Sequence, residues 1–279
     1  MTNATEAPVL TLHDGVEVPQ LGFGVFQIPP EGTQEKVEEA FAVGYRHVDT
    51  AAAYRNEAGV GAAIAASGLP REEVFLTTKL WNSEQGYDST LRAFEQSLER
   101  LGADHVDLYL IHWPLPGRDL FLDTWHAFER IHEEGGARTI GVSNFRVEDL
   151  ERLAAEAERQ PTVNQIELHP RLQQAELRAW HADHDIATEA WSPLAQGELL
   201  EDGTIETIAG HYDKSPAQVI LRWHLQIGNV VIPKSATPER IRENFELFDF
   251  TLSEDDMAAL ERLDAGARTG PDPSSFDAT

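Results

Sequence analysis

The sequence predicts an α/β protein built as a (β/α)8 TIM barrel, with an N-terminal β-hairpin and a C-terminal loop over the active-site face. Three observations carry this reading. Short apolar strand-like runs alternate with amphipathic helical stretches along the chain. No linker or composition break divides it. Its 279 residues match a barrel, which typically takes about 250, and are few for two independent domains. A doubly wound sheet is the structural rival, and the missing break between halves weighs against it. The chain is read as one domain spanning 1–279.

The elements follow in order. Asp14-Gly15 marks a hairpin turn, and residues 21–23 form the first barrel strand. The other strands are expected at 46–49, 74–79, 106–111, 139–142, 163–167, 186–190 and 230–232. Helices are expected at 34–43, 89–101, 122–133, 147–158, 175–184, 216–226 and 238–245. In 34–43 the apolar positions are Val37, Ala40 and Phe41, and in 89–101 they are Leu91, Phe94, Leu98 and Leu101, at helical spacing. A last helix at 253–263 opens on Ser253 with Asp256 three residues on, close to a capping box. The Gly-, Pro- and Ser-rich segment 264–279 supplies the loop over one barrel face.

Composition excludes several functions. The formal net charge is −26, and the acidic residues are spread along the chain. Such a surface repels nucleic acid and anionic membranes. No apolar run approaches the ~20 residues that span a bilayer. The opening MTNATEAP has no basic or apolar leader segment, so no secretory signal is read there. There is no cysteine, which removes disulfides, thiolate metal sites and cysteine nucleophiles and fits a cytoplasmic setting. Lysine is scarce: Lys36, Lys79, Lys214 and Lys234 are all there are.

Barrel chemistry sits at the C-terminal ends of strands. Here those ends carry Asp49, Lys79, His112, Ser143-Asn144, Gln165 and Glu167, Trp191-Ser192, and Lys234-Ser235. Together they define a polar mouth. A strand-end lysine is costly unless paired, and Asp49 offers the pair. An ammonium near Tyr54 lowers the tyrosine pKa and makes it a candidate general acid, while His112 is placed to hydrogen-bond a carbonyl. The alternative is a structural ion pair with an unrelated tyrosine and histidine. The segment from Ile232 to Asn244 is more specific. Thr237 is a good N-cap and Pro238 suits a first turn, so free helix amides meet Lys234, Ser235 and Arg240. That is a phosphate site after the eighth strand.

At these residues the chain resembles the aldo-keto reductases, nearly end to end. Gly44-Tyr-Arg-His-Val-Asp-Thr-Ala51 followed by Glu57-Ala-Gly-Val-Gly61 is similar to the family's first signature, and 232–244 to its C-terminal cofactor signature. Thr77-Thr-Lys-Leu-Trp81, Ile111-His-Trp-Pro114, Gly141-Val-Ser-Asn-Phe145 and Asn164-Gln-Ile-Glu167 lie between in the family's order. Leu21-Gly-Phe-Gly-Val-Phe26, Glu189-Ala-Trp-Ser-Pro-Leu194 and Pro273-Ser-Ser-Phe276 resemble prokaryotic members related to 2,5-diketo-D-gluconate reductases.

The resemblance implies NADPH-dependent reduction of small carbonyls, such as aldehydes, α-dicarbonyls or keto-sugars, by a monomer. It implies a catalytic tetrad of Asp49, Tyr54, Lys79 and His112. Ser143, Asn144 and Gln165 would hold the carboxamide, with the nicotinamide stacked on Trp191 and the diphosphate near Ser192 and Leu194. Lys234, Ser235 and Arg240 would take the 2′-phosphate, with Glu243 and Asn244 near the adenine. Phe26, Trp81 and Trp113 would line the substrate pocket. The sequence departs from the family at Arg55, where relatives usually carry glycine, and at Ser192, where close relatives often have glycine. Segment 196–204 is short for a loop that must clasp a cofactor. An NADPH-binding sensor with little turnover is the rival function, and the complete set of tetrad residue types argues against it.

Two other patterns are read as decoys. Gly59-Val-Gly61 lies in a helical stretch with no strand before it, so it is not a dinucleotide fingerprint. His181 and His184 sit at what reads as an exposed helix end without further ligands, so no metal is expected.

Overall fold

The computed structural model describes residues 7–278. Most of the opening segment read for a secretory leader lies outside the described residues. Strands β1 (Val9–Thr11) and β2 (Glu17–Pro19) pair antiparallel as the expected hairpin. Gly15 takes φ +88 at its turn, the left-handed region that glycine enters without a Cβ clash. Asp14 accepts a hydrogen bond from the Val16 amide at 3.0 Å and another from Thr139 at 2.6 Å.

Eight parallel strands follow: β3 (Phe23–Gly24), β4 (His47–Asp49), β5 (Phe75–Leu80), β6 (Val106–Ile111), β7 (Ala137–Ser143), β8 (Val163–Glu167), β9 (Ala187–Trp191) and β10 (Val230–Val231). Their order in the sheet is the order in the chain, and each neighbouring pair is parallel. A parallel bridge between Leu21 and Val231 joins the two edges. Gly22 N–H donates to Val231 O, and Val231 N–H donates to Gln20 O, at 2.9 and 2.8 Å. The (β/α)8 expectation therefore holds. The hairpin floors the barrel: Leu12 and Val18 pack with Phe75, Leu108, Leu110, Val163 and Val230 in a cluster separate from the main core.

The helices are α1 (Pro30–Val43), α2 (Glu57–Ala66), α3 (Tyr87–Leu101), α4 (Phe121–Glu133), α5 (Val147–Glu156), α6 (Ala175–Asp183), α7 (Gly203–Tyr212), α8 (Pro216–Gln226), α9 (Pro238–Glu243) and α10 (Glu254–Glu261). Helix α7 adds to the expected set, and α2 gives bounds to the helical stretch read around Gly59-Val-Gly61. The α2 sequence is nearly all small residues and shows no polar–apolar period. Its glycines allow close packing instead: a Cβ on Gly61 would lie 1.9 Å from Leu101 O, and one on Gly59 would lie 2.8 Å from Thr33. That explains the glycine pair without a nucleotide. Helix α7 is announced by Asp202, whose side chain accepts from the amides of Thr204 and Ile205. At α10 the Ser253 side chain accepts from Asp256 N–H, but the Ser253 amide donates to Tyr212 Oη, so only half of a capping box forms.

His181 corrects the exposed-end reading. It is buried, with Nδ1 2.9 Å from Thr188 Oγ1 and Nε2 2.9 Å from Asn164 Nδ2. Burial pushes its imidazole down to about 3. Only His184 is exposed, stacked on Trp180. No cluster of three metal-ligating side chains occurs among the described residues.

Candidate active site

The expected site residues converge on one cleft of about 1610 Å3 at the C-terminal end of the barrel. Every one lines it except Lys79, which lies fully buried beneath Asp49 and Tyr54. Asp49 closes β4 and Lys79 stands one residue before the end of β5. Lys79 Nζ donates to Asp49 Oδ1 at 2.5 Å, to Thr50 O at 3.0 Å and to Tyr54 Oη at 3.4 Å. Tyr54 ends a 3-10 turn (Ala52–Tyr54). Buried Asn56 anchors that turn: its amide donates to Val25 O and Ile28 O, and its Oδ1 accepts from Thr50. The Tyr54 ring packs against Phe26 and His112, with centroids 5.1 and 5.7 Å away.

The charge states follow from burial and neighbours. Burial acts against the Lys79 ammonium, but Asp49 and Tyr54 outweigh it and hold the ammonium above its ordinary range. His112 falls well below its ordinary range through burial and the Lys79 charge, so it is neutral. For Tyr54 the sequence-based expectation fails in sign. Lys79 does pull the phenol down, but burial dominates and the net shift is upward. Tyr54 is therefore a fully protonated phenol at neutral pH, with the Lys79 ammonium beside it.

Gln165, Ser143, Asn144 and Trp191 are tied to the same network. Gln165 donates to Asp49 Oδ2 at 2.8 Å, which leaves its carbonyl oxygen for a ligand. Ser143 donates to Gln165 O, and Asn144 (φ +64) donates to His112 O and Ser143 Oγ. Trp191 Nε1–H donates to Asn144 Oδ1 at 2.9 Å, which fixes the indole in the cleft wall. Ser192 takes φ +47 and Arg55 φ +58. These are conformations that favour glycine, and each costs a non-glycine residue about 1–2 kcal/mol. Arg55 is exposed at the rim.

At the far end of the cleft, Lys234 and Arg240 are exposed and make no ion pair among the described residues, whereas Lys36, Lys79 and Lys214 all do. Ser235 and Asn244 are buried, and Glu243 is half-buried. Thr237 is the N-cap of α9 by position, but its side chain makes no capping bond. Ser235 Oγ instead accepts from the Thr237 amide at 3.2 Å. The first amides of α9 are left open beside two free cations, and that donor set fits a phosphate. The 196–204 segment folds as a 3-10 turn (Ala195–Gly197) that leads into α7, and Gln196, Gly197 and Leu200 line the cleft.

Trp113, Trp81 and Phe26 line the cleft, while Trp125 and Trp223 are core residues. The sequence reading missed three features here. Phe276 from the C-terminal tail packs on Trp113 with centroids 4.2 Å apart, closing the aromatic wall. Glu167 grips the same tail rather than facing the cleft. Glu189, on β9 within the barrel, is buried with neither carboxyl oxygen hydrogen-bonded among the described residues. A lone carboxylate inside Ala187–Trp191 was the only signal for it.

The family model described as "Aldo/keto reductase family" matches residues 20–265. This chain belongs to the aldo/keto reductase family. An aldo-keto reductase of Mycobacterium sp. (strain KMS) is 58% identical over 273 residues, covering 98% of this chain and 99% of that one. The glyoxal reductase of Bacillus subtilis (strain 168) is 53% identical over 267 residues, 95% and 96% of the two chains. Among solved structures, a mutant of Gox0644 in complex with NADPH superposes with a TM-score of 0.94 at 48% identity, covering 97% and 99%. As an aldo-keto reductase the chain is an oxidoreductase.

Proposed function

We propose that this aldo-keto reductase uses NADPH to reduce small carbonyls, α-dicarbonyls foremost, with Tyr54 as the general acid. One observation carries the proposal. Tyr54 Oη, backed by the buried Lys79–Asp49 pair, stands beside neutral His112 at the floor of an aromatic-walled cleft. A sensor needs no such assembly. The NADPH complex of a close structural relative and the naming of a relative as a glyoxal reductase support the cofactor and the substrate class.

The residues present fit the cofactor. Lys234 and Arg240 with the open α9 amides would suit the 2′-phosphate, Trp191 would offer a flat apolar face to the nicotinamide, and Gln165 Oε1 would be free to accept from its carboxamide. When bound, the reduced nicotinamide supplies the hydride. His112 orients the carbonyl oxygen as a neutral N–H donor. Tyr54 gives its Oη proton to that oxygen, and Lys79 stabilises the phenolate left behind. Asp49 keeps Lys79 charged and, through Gln165, aligns it with the cofactor side. Phe26, Trp81, Trp113 and Phe276 exclude water and favour compact, uncharged carbonyls.

The test is NADPH consumption with methylglyoxal, glyoxal, simple aldehydes and keto-sugars, repeated with NADH. Turnover with NADPH that is fastest on the dicarbonyls is expected. Binding of NADPH without turnover on any carbonyl would restore the sensor reading. Arg240→Ala should weaken NADPH by about 10- to 100-fold, the worth of one charge-assisted contact, and leave NADH nearly unchanged. Equal losses for both, measured by tryptophan quenching, would remove Arg240 from the 2′-phosphate site.

A further inference from the structure

The C-terminal tail is fastened to the mouth of the barrel at several points: the Ala265 and Ala267 amides donate to Arg171 O, Gln196 Nε2 donates to Thr269 O, and the buried carboxylate of Glu167 takes the segment at Thr269 and Gly270. Glu167 Oε1 accepts from Thr269 N–H at 2.6 Å, from Thr269 Oγ1 at 2.7 Å and from Gly270 N–H at 3.2 Å. His169 Nε2 lies 3.3 Å from the same oxygen. Glu167 is the register partner of Trp191 across β8 and β9. The clasp therefore delivers the tail backbone to the indole. A Cβ built on Gly270 would lie 2.4 Å from Trp191 Cη2, 2.9 Å from Cζ3 and 3.2 Å from Glu167 Oε2. The indole is gripped at both ends: its N–H bonds Asn144, and its benzo edge abuts Gly270. Further along, the tail lays Phe276 on Trp113, and Ala278 O accepts from Asn82.

We propose that Glu167 and Gly270 are positioning residues for hydride transfer, holding the Trp191 indole at the angle against which the nicotinamide stacks and linking that angle to the Trp113–Phe276 wall. The proposal rests on the assignment of Trp191 as the stacking face. Gly270 does not need glycine for its backbone, since its φ is not positive. Glycine is required there because the indole occupies the space of any side chain. One added methyl group moves Trp191, or moves the tail off Glu167.

The experiment is a double-mutant cycle on the full chain, with Gly270→Ala, Trp191→Phe and the pair, alongside Glu167→Gln. Gly270→Ala should lower kcat for methylglyoxal by about 10- to 100-fold, the scale of an ångström-level misplacement. The primary isotope effect with 4-deuterated NADPH should rise as hydride transfer becomes limiting, while NADPH affinity changes less than about threefold because the phosphate end is untouched. In the Trp191→Phe background, where the smaller ring leaves room, the same substitution should cost almost nothing. Glu167→Gln should raise the isotope effect and the KM for methylglyoxal together. An equal cost of Gly270→Ala in both backgrounds, or an unchanged isotope effect, overturns the proposal. If the wild type shows no turnover, the functional reading fails instead. The positioning claim is then decided on the free protein: the near-ultraviolet circular dichroism change from Gly270→Ala must vanish in the Trp191→Phe background, and its persistence refutes the claim.

Discussion

Tyr54→Phe is expected to reduce carbonyl turnover by about 10²- to 10⁴-fold, the usual worth of a positioned general acid, while NADPH affinity stays within about threefold. The substitution is local. Phenylalanine keeps the ring contacts with Phe26 and His112 and loses only the hydroxyl that accepts from Lys79. Lys79 retains Asp49 and Thr50 O, so no buried charge is abandoned. Single-turnover NADPH consumption measures the loss, and tryptophan quenching checks that the cofactor still binds. Residual turnover within tenfold of wild type would remove Tyr54 as the acid. The pH dependence follows from the upward shift of the phenol. Its acid form persists through neutral and mildly alkaline pH, so reduction should be flat there. Alcohol oxidation needs the phenolate and should climb with pH.

Glu189→Gln is expected to stabilise the fold at pH 8 relative to pH 5.5 by on the order of 3 kcal/mol compared with wild type. Burial, and then Asp49, push the Glu189 carboxyl up to about 8, with the Gln165 amide and then Lys79 acting the other way. A carboxyl whose folded pKa is raised favours the fold only in its neutral form. That advantage is complete below the unfolded pKa near 4.5 and is lost as pH rises towards 8. The groups facing it are His47, with Nε2 3.7 Å away, Gln165, Asp49 and Lys79. Burial depresses His47 to about 4, so it stays neutral across this window. Glutamine keeps the shape and cannot ionise. Urea unfolding of both proteins at the two pH values gives the difference. A stability gap that does not change between them would show that Glu189 is not held neutral.

The barrel was legible because its strands are short apolar runs that end in chemistry-bearing residues. The 106–111 and 163–167 strands and the 216–226 helix match the structure residue for residue. Helix α2 was legible only as an unbounded helical stretch around Gly59-Val-Gly61, because an almost wholly small, apolar decapeptide carries no period to read. The convergence of Asp49, Lys79 and His112 could be anticipated from strand ends, and Tyr54 joined them through the family resemblance. The sign of the Tyr54 shift could not, because desolvation depends on what Phe26 and His112 cover, and a sequence lists neighbours only along the chain. The tail's role was half visible. Its composition marked a loop, but the bond from Thr269 to Glu167 spans 102 residues and leaves no local trace.

The seam between Leu21 and Val231 bears on how the chain comes to be folded. Its two sides are about two hundred residues apart, so the barrel is among the last things a growing chain can finish. Until β10 arrives, β3 and β9 each present an open edge, and unpaired edges recruit other chains. With a formal charge of −26, nascent copies repel one another throughout that interval. The acidity that opposes binding of an anionic cofactor thus also protects an unfinished barrel from aggregation.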